Sequence, residues 1–309
     1  MAIASKKYAE ALVSLQRVLC SNEDMRYATE TLAAVNLLLV YEIAGALWSG
    51  SQSTFDSQEW LSLPPPEDPD IECKDFTIAS EEITRQMIQL PRLIALVRRV
   101  RQNPSDVIAG IDALEMAEHL YCSYSSTLAP IIDAALIKRA EWVETLDEDL
   151  AEYCPKSLDF EWLNIFEGLV RYSYIRILVL GLCMTLRAVF PFSPVLDAAR
   201  LEEEEDQYAS LITASVQYAE RLNPYPLGPL VLWLPLQVAY GTWWRKQRDK
   251  GVEGWEHERA VFMKNWCFEK DNAFIKALNG DAVSEDKLQA LYRASVEGGP
   301  WEEIIHKVG

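Results

Sequence analysis

The chain has 309 residues, half of them hydrophobic and a quarter charged, and a formal net charge of −18. That balance is globular rather than disordered and allows a substantial core. Binding DNA or RNA needs clustered Lys and Arg that release counter-ions, so this acidity argues against direct nucleic-acid contact.

In chain order the sequence predicts helix after helix. Lys6–Cys20 places Tyr8, Leu12, Leu15 and Leu19 at helical spacing. Asp24–Trp48 reads as a long second helix that ends at Gly50. Ser51–Thr77, with Pro64-Pro65-Pro66 and Pro69, reads as a polar, partly extended connection. Ser80 ahead of Glu81-Glu82 is placed to cap a third helix to about Gln102, kinked at Pro91. A helix restarts after Asn103-Pro104-Ser105-Asp106 and runs to about Tyr121. Thr127–Tyr153 reads as an acidic helix stopped by Pro155, and Asp159–Val189 as a long helix apolar on most faces. Glu202–Leu222 follows. Leu230–Trp244 is apolar all round but too short to cross a bilayer, so it is expected to be centrally buried. Trp255–Leu278 and a short Glu285–Val296 complete the series. The expectation is an all-α fold: one bundle-like or orthogonal domain of roughly ten helices. It covers residues 1–309, with 51–79 as an internal Pro-rich connection.

The six cysteines are scattered without a C-x-x-C, and the chain has three histidines. No structural metal site and no cofactor is expected from them. Cys122, Cys183 and Cys267 fall in apolar helical runs, where a thiol behaves as a small hydrophobe. The N-terminus has an amphipathic period without the apolar run of a secretory signal. The longest apolar stretch, Ile177–Phe192, is interrupted by Arg187. An intracellular protein, nuclear or cytoplasmic, with reduced thiols and no membrane contact is the expectation.

Four constellations carry potential chemistry. Glu167, Arg171, Arg176 and Arg187 lie in the apolar run EWLNIFEGLVRYSYIRILVLGLCMTLRAVF. Glu167 and Arg171 are four apart and pair on one face, which leaves Arg176 and Arg187 needing other carboxylates or an anionic ligand. The acidic runs Glu141–Glu152 and Glu202–Asp206 read as solvated helix faces, the second suited to a helix start. Asp112, Glu115, His119 and Tyr121 surround a histidine in a helical pattern and read as a surface pair of Glu115 with His119. Ten tryptophans, with many tyrosines, read chiefly as core, with Trp142, Trp162, Tyr172, Tyr174, Trp233, Tyr240, Trp243, Trp244 and Trp266 as candidates to line a cavity. No G-x-S-x-G, G-x-G-x-x-G, phosphate loop or H-E-x-x-H is present.

Five segments, in order, resemble the regulatory domain of fungal zinc-binuclear-cluster transcription factors. They are Glu30–Glu42 (ETLAAVNLLLVYE), Thr54–Leu63 (TFDSQEWLSL), Gln89–Leu96 with Leu90-Pro91, Tyr172–Ile177 (YSYIRI) and Leu232–Ala239 (LWLPLQVA). The family's six-cysteine DNA-binding cluster is not found, the chain opening at Met1 in the first helix. The interval from Glu42 to Trp60 is short for the family, as if a helix pair were lost. What the resemblance implies is a helical domain that senses small molecules or contacts partners. The expected function is a non-DNA-binding relative that binds a hydrophobic small molecule or a protein partner, a second copy of the chain included. The alternative is an all-helical enzyme of fungal secondary metabolism, a cyclase or isomerase acting on a hydrophobic substrate. The expected ligand-binding residues are Trp162, Glu167, Arg171, Arg176, Trp233, Tyr240 and Trp244, with the arginines meeting an oxygen and the rings enclosing an apolar body.

Overall fold

The structure is a computed structural model that describes Ala46, Ser53, Asp56 and residues 74–191, 197–222, 227–249 and 253–298. The helices expected over Lys6–Cys20 and Asp24–Trp48, and most of the 51–79 connection, lie outside the described residues. The described chain is mostly helical, as the hydrophobic spacing predicts.

Helix α1 (Lys74–Gln102) buries Ile83, Met87, Leu90, Ile94 and Val97, spaced alternately four and three residues apart. That spacing puts all five on one stripe. The helix starts before Ser80, whose carbonyl accepts a bond from the Thr84 hydroxyl inside the helix, so the expected cap is a mid-helix residue. The Pro-rich connection accordingly ends before Lys74 rather than at residue 79. The helix also runs on through Pro91.

Helix α2 (Val107–Ser123) is capped by Asp106, whose carboxylate accepts from the Ala109 amide at 3.1 Å. A π-turn over Tyr124–Leu128 then leads into α3 (Ala129–Arg139). Pro130 has no N–H to give to the carbonyl four residues back, which fits the local widening of the ladder.

Of the acidic helix expected over Thr127–Tyr153, only the part up to Arg139 is helical before the chain turns to strand. Strands β1 (Ala140–Glu144) and β2 (Lys156–Phe160) pair antiparallel, with Trp142 opposite Leu158, and a single-turn helix α4 (Glu148–Ala151) sits in the connection. Leu158 and Phe160 are buried while Glu141, Trp142 and Glu144 face outward. Phe160 packs edge-on against Phe166 and Tyr218. The hairpin is therefore held by a long-range aromatic contact, which local helical spacing does not reveal.

Helix α5 (Leu163–Val189) begins after β2, not at Asp159, and is the axis of the structure. It is long and apolar enough to cross a membrane, but 83% of its most apolar window is buried inside the protein. Helix α6 (Ala198–Ala214) is capped by Asp197 and breaks at Ser215 into the short α7 (Val216–Arg221). Helix α8 (Leu227–Asp249) extends the expected Leu230–Trp244 at both ends and continues through Pro235. It touches α5, α6, α7, α9 (Trp255–Ala277) and α10 (Glu285–Val296). The central burial expected for it is observed over Pro235–Trp243, while Leu230 is half-exposed and Trp233, Leu234 and Trp244 are half-buried.

Two glycines seat α10 on this centre. A Cβ on Gly181 of α5 would lie 2.8 Å from Val296 Cβ, and one on Gly241 of α8 would run into the Tyr292 ring. The buried apolar residues of α1 through α10 form one connected cluster.

Candidate functional site

The seven residues expected to form a binding site are dispersed. Glu167 and Arg171 do pair, on a partly exposed face of α5. Trp162 is 46% exposed ahead of α5, with the Arg139 guanidinium 5.4 Å from its ring centroid. Tyr240 is fully buried, and its hydroxyl donates to Glu285 at 3.1 Å and accepts from Gln289 at 3.2 Å. Trp244 is half-buried, edge-on to Tyr292 and 5.0 Å below the Arg248 guanidinium. Trp233 is half-buried. Tyr240 thus packs between helices rather than lining a void, and so does its neighbour Trp243, which is 1% exposed.

Arg176 is 1% exposed and bound within the core. It pairs with Glu204 of α6, donates to the Tyr121 carbonyl at 2.9 Å and lies 4.5 Å from the centre of the Tyr121 ring. Tyr124 and Tyr208 approach it from other sides. Burial pushes the Glu204 carboxyl up, but Arg176, Tyr121 and Arg200 outweigh it and hold Glu204 below its usual range. Burial first, and Glu204 second, push the Tyr121 hydroxyl up to about 12. Arg176 is therefore the centre of a packed ion pair.

The acidic run Glu202–Asp206 overturns the expectation of a solvated face. Glu202 and Glu203 are exposed, but the next three carboxylates point at three different sets of neighbours. Glu204 meets Arg176 of α5 and Arg200 one turn earlier in α6. Glu205, with no exposed surface, meets Arg245 of α8 and accepts from the Thr242 hydroxyl at 3.2 Å and the Tyr292 hydroxyl at 3.0 Å. Asp206 bridges Lys246 at 2.8 Å and Arg259 of α9 at 3.1 Å. Successive helical residues are rotated by about 100°, so three in a row fan over most of the helix circumference. The signal was present in the sequence. Arginines embedded in apolar helices need carboxylates from elsewhere, and this run is a dense supply of them.

Beside this fan lies an open cleft of about 690 Å³, where the C-terminal ends of α1, α5 and α8 meet the first turns of α6. Basic residues in the last turn complement the negative end of a helix dipole, and each of these three helices carries them there: Arg101, Arg187, and Lys246 with Arg248. Their convergence makes the cleft locally basic in an acidic chain. Together with Arg245, five cations line it against the four carboxylates of Glu202, Glu205, Asp249 and Glu297. Met184, Ala188, Val189 and Ala198 supply apolar wall.

Most of these cations are matched. Arg245 has Glu205, Lys246 has Asp206, and Arg248 has Asp249 and Glu297. Arg187 differs: its Nη1 is buried without a hydrogen-bond partner. Of the two arginines that the sequence left in need of an acid, Arg176 finds one and Arg187 finds none among the described residues.

The remaining candidates carry less. Asp112, Glu115 and His119 are exposed along α2, while Tyr121 turns inward to Glu204. Cys122 is exposed, contrary to its apolar context, whereas Cys183 and Cys267 are buried with thiols pushed up to about 12 by that burial. Among the described residues, no group of three or more His, Cys, Asp or Glu side chains is placed to hold a metal ion. Asp147 of the acidic run caps α4 and accepts from the Trp266 indole at 3.1 Å.

Asp271 on α9 stands apart, fully buried with the Gln237 amide at 3.2 Å and no cation. Burial pushes its carboxyl up to about 7, against a smaller lowering from Gln237. The folded protein keeps this proton while the unfolded chain releases it near pH 4, so stability falls as pH rises from about 4 to about 7 and stays reduced above. Asp271→Asn is expected to raise the melting temperature at pH 8 by roughly a few degrees and to change it little at pH 4. Melting curves of both proteins across that range check it. An equal effect at both ends would mean the carboxyl is not the titrating group.

No family model, curated protein or solved structure matches the chain.

Proposed function

We propose that the chain is a helical module that binds a small molecule in the cleft between the ends of α5 and α8 and the start of α6. The observation that carries this reading is the Arg187 guanidinium, its Nη1 buried without a hydrogen-bond partner, beside an open apolar wall. Leaving a desolvated donor unpaired is costly, so a ligand oxygen that accepts from it is favoured at this place. The order of the five motif segments supports a scaffold related to the regulatory domain of fungal zinc-cluster factors. The net charge of −18 supports the absence of direct nucleic-acid contact.

The expected ligand is amphipathic, since wall and cations face the same space. Hydrogen exchange on the purified protein, with and without a panel of amphipathic small molecules, tests the reading. Saturable binding is expected to protect the amides of residues 184–189 and 245–249. Saturable binding that protects only other regions would remove the cleft from consideration.

A further inference from the structure

We infer that the ligand of this cleft is a monocarboxylate, its head group held by Arg187 and its apolar body lying on Met184, Ala188 and Val189. The inference rests on the cleft being the binding site, and it adds the chemical class.

Three observations lead to it. Arg187 presents a planar fork of donors with one terminal nitrogen buried and without an acceptor, and such a fork binds a carboxylate through two parallel bonds. Arg101, on the same cleft, donates to the backbone carbonyl of Glu297 rather than to a carboxylate, so a second positive charge faces the space. The other three lining cations have carboxylates of their own, Lys246 through Asp206, so Arg187 and Arg101 are the two that an anionic head group would meet, and Glu202 on the same lining favours a singly charged one.

The geometry also sets where the body goes. Arg187, Ala188 and Met184 belong to the final turns of α5, and Met184 and Ala188 are four residues apart on one face. A head group on Arg187 therefore has its tail running along that strip rather than into the packed core.

The test uses the full chain and three probes of equal chain length at pH 7.5: octanoate, octyl phosphate and octanol. Binding is measured by calorimetry and located by hydrogen exchange at residues 184–189. Octanoate is expected to bind tightest, and Arg187→Met is expected to weaken it about tenfold or more while leaving octanol unchanged. Arg187→Lys, which keeps the charge but not the fork, is expected to fall between. Because Arg187 has no ion pair among the described residues, Arg187→Met should melt close to the parent temperature. If it does not fold, the Arg187→Lys comparison carries the test.

Octanol binding at the cleft as tightly as octanoate, or octyl phosphate binding tighter, overturns the carboxylate inference and leaves the cleft as a site. Absence of protection at residues 184–189 with every probe overturns both.

Discussion

Arg245→Met is expected to lower the unfolding free energy by about 3–5 kcal/mol. The partner it strands, Glu205, has no exposed surface and is otherwise served by two neutral hydroxyl donors, Thr242 and Tyr292. Neutral donors solvate a carboxylate only partly, and a charge with no solvent and no counter-ion is the costly case. Replacing both members, Glu205→Leu with Arg245→Met, is expected to recover most of the loss, because a well-packed apolar pair is often as stable as a buried ion pair. Urea unfolding of the two single variants and the double variant checks this. A double variant as unstable as the single would show that the site cannot close over apolar side chains. A single variant within about 1 kcal/mol of the parent would show that water reaches Glu205.

Arg176→Leu is expected to destabilise by about 3 kcal/mol, the lower end of the same range. Glu204 keeps Arg200 and retains 18% exposure of its side chain, so the stranded charge is less isolated than Glu205. The Tyr121 carbonyl loses a donor as well, and the guanidinium leaves the tyrosine rings around it. The loss is expected as a lower urea midpoint with an unchanged slope. Octanoate binding, measured below that midpoint, is expected to be unchanged, since Arg176 does not line the cleft. A folded variant that no longer binds the probe would return Arg176 to the binding site.

How far the sequence carried differed by element. Glu285–Val296 is found with those bounds, and the buried character of Leu230–Trp244 is found too, because dense apolar spacing is a local signal. The hairpin was missed for the opposite reason. Its strands are five residues each, and Phe160 packs against Phe166 and also against Tyr218, which lies 58 residues away and in no local window.

The site divides in the same way. Arg187 was legible as a charge without an acid, since Cys183, Met184 and Phe190, three and four residues away along its helix, carry no charge. The cleft itself was not, because three helix ends distant in sequence have to converge to make it. The aromatic set misled for a physical reason: Tyr240 and Trp243 are rings that fill space between helices, and composition does not distinguish filling a gap from lining one.

The fan of carboxylates on α6 has a consequence for the helices around it. Helices α5 and α8 are apolar on nearly all sides, so burial alone would be almost as well satisfied if either were turned about its axis. Side chains that are all alike in character hold little information about which way a helix should face. Glu204, Glu205 and Asp206 supply that information, because a single-residue slip of α6 would swing each carboxylate by about 100° away from its partner. The three acids set the angular orientation of the core, and the cleft beside them inherits its shape from that setting.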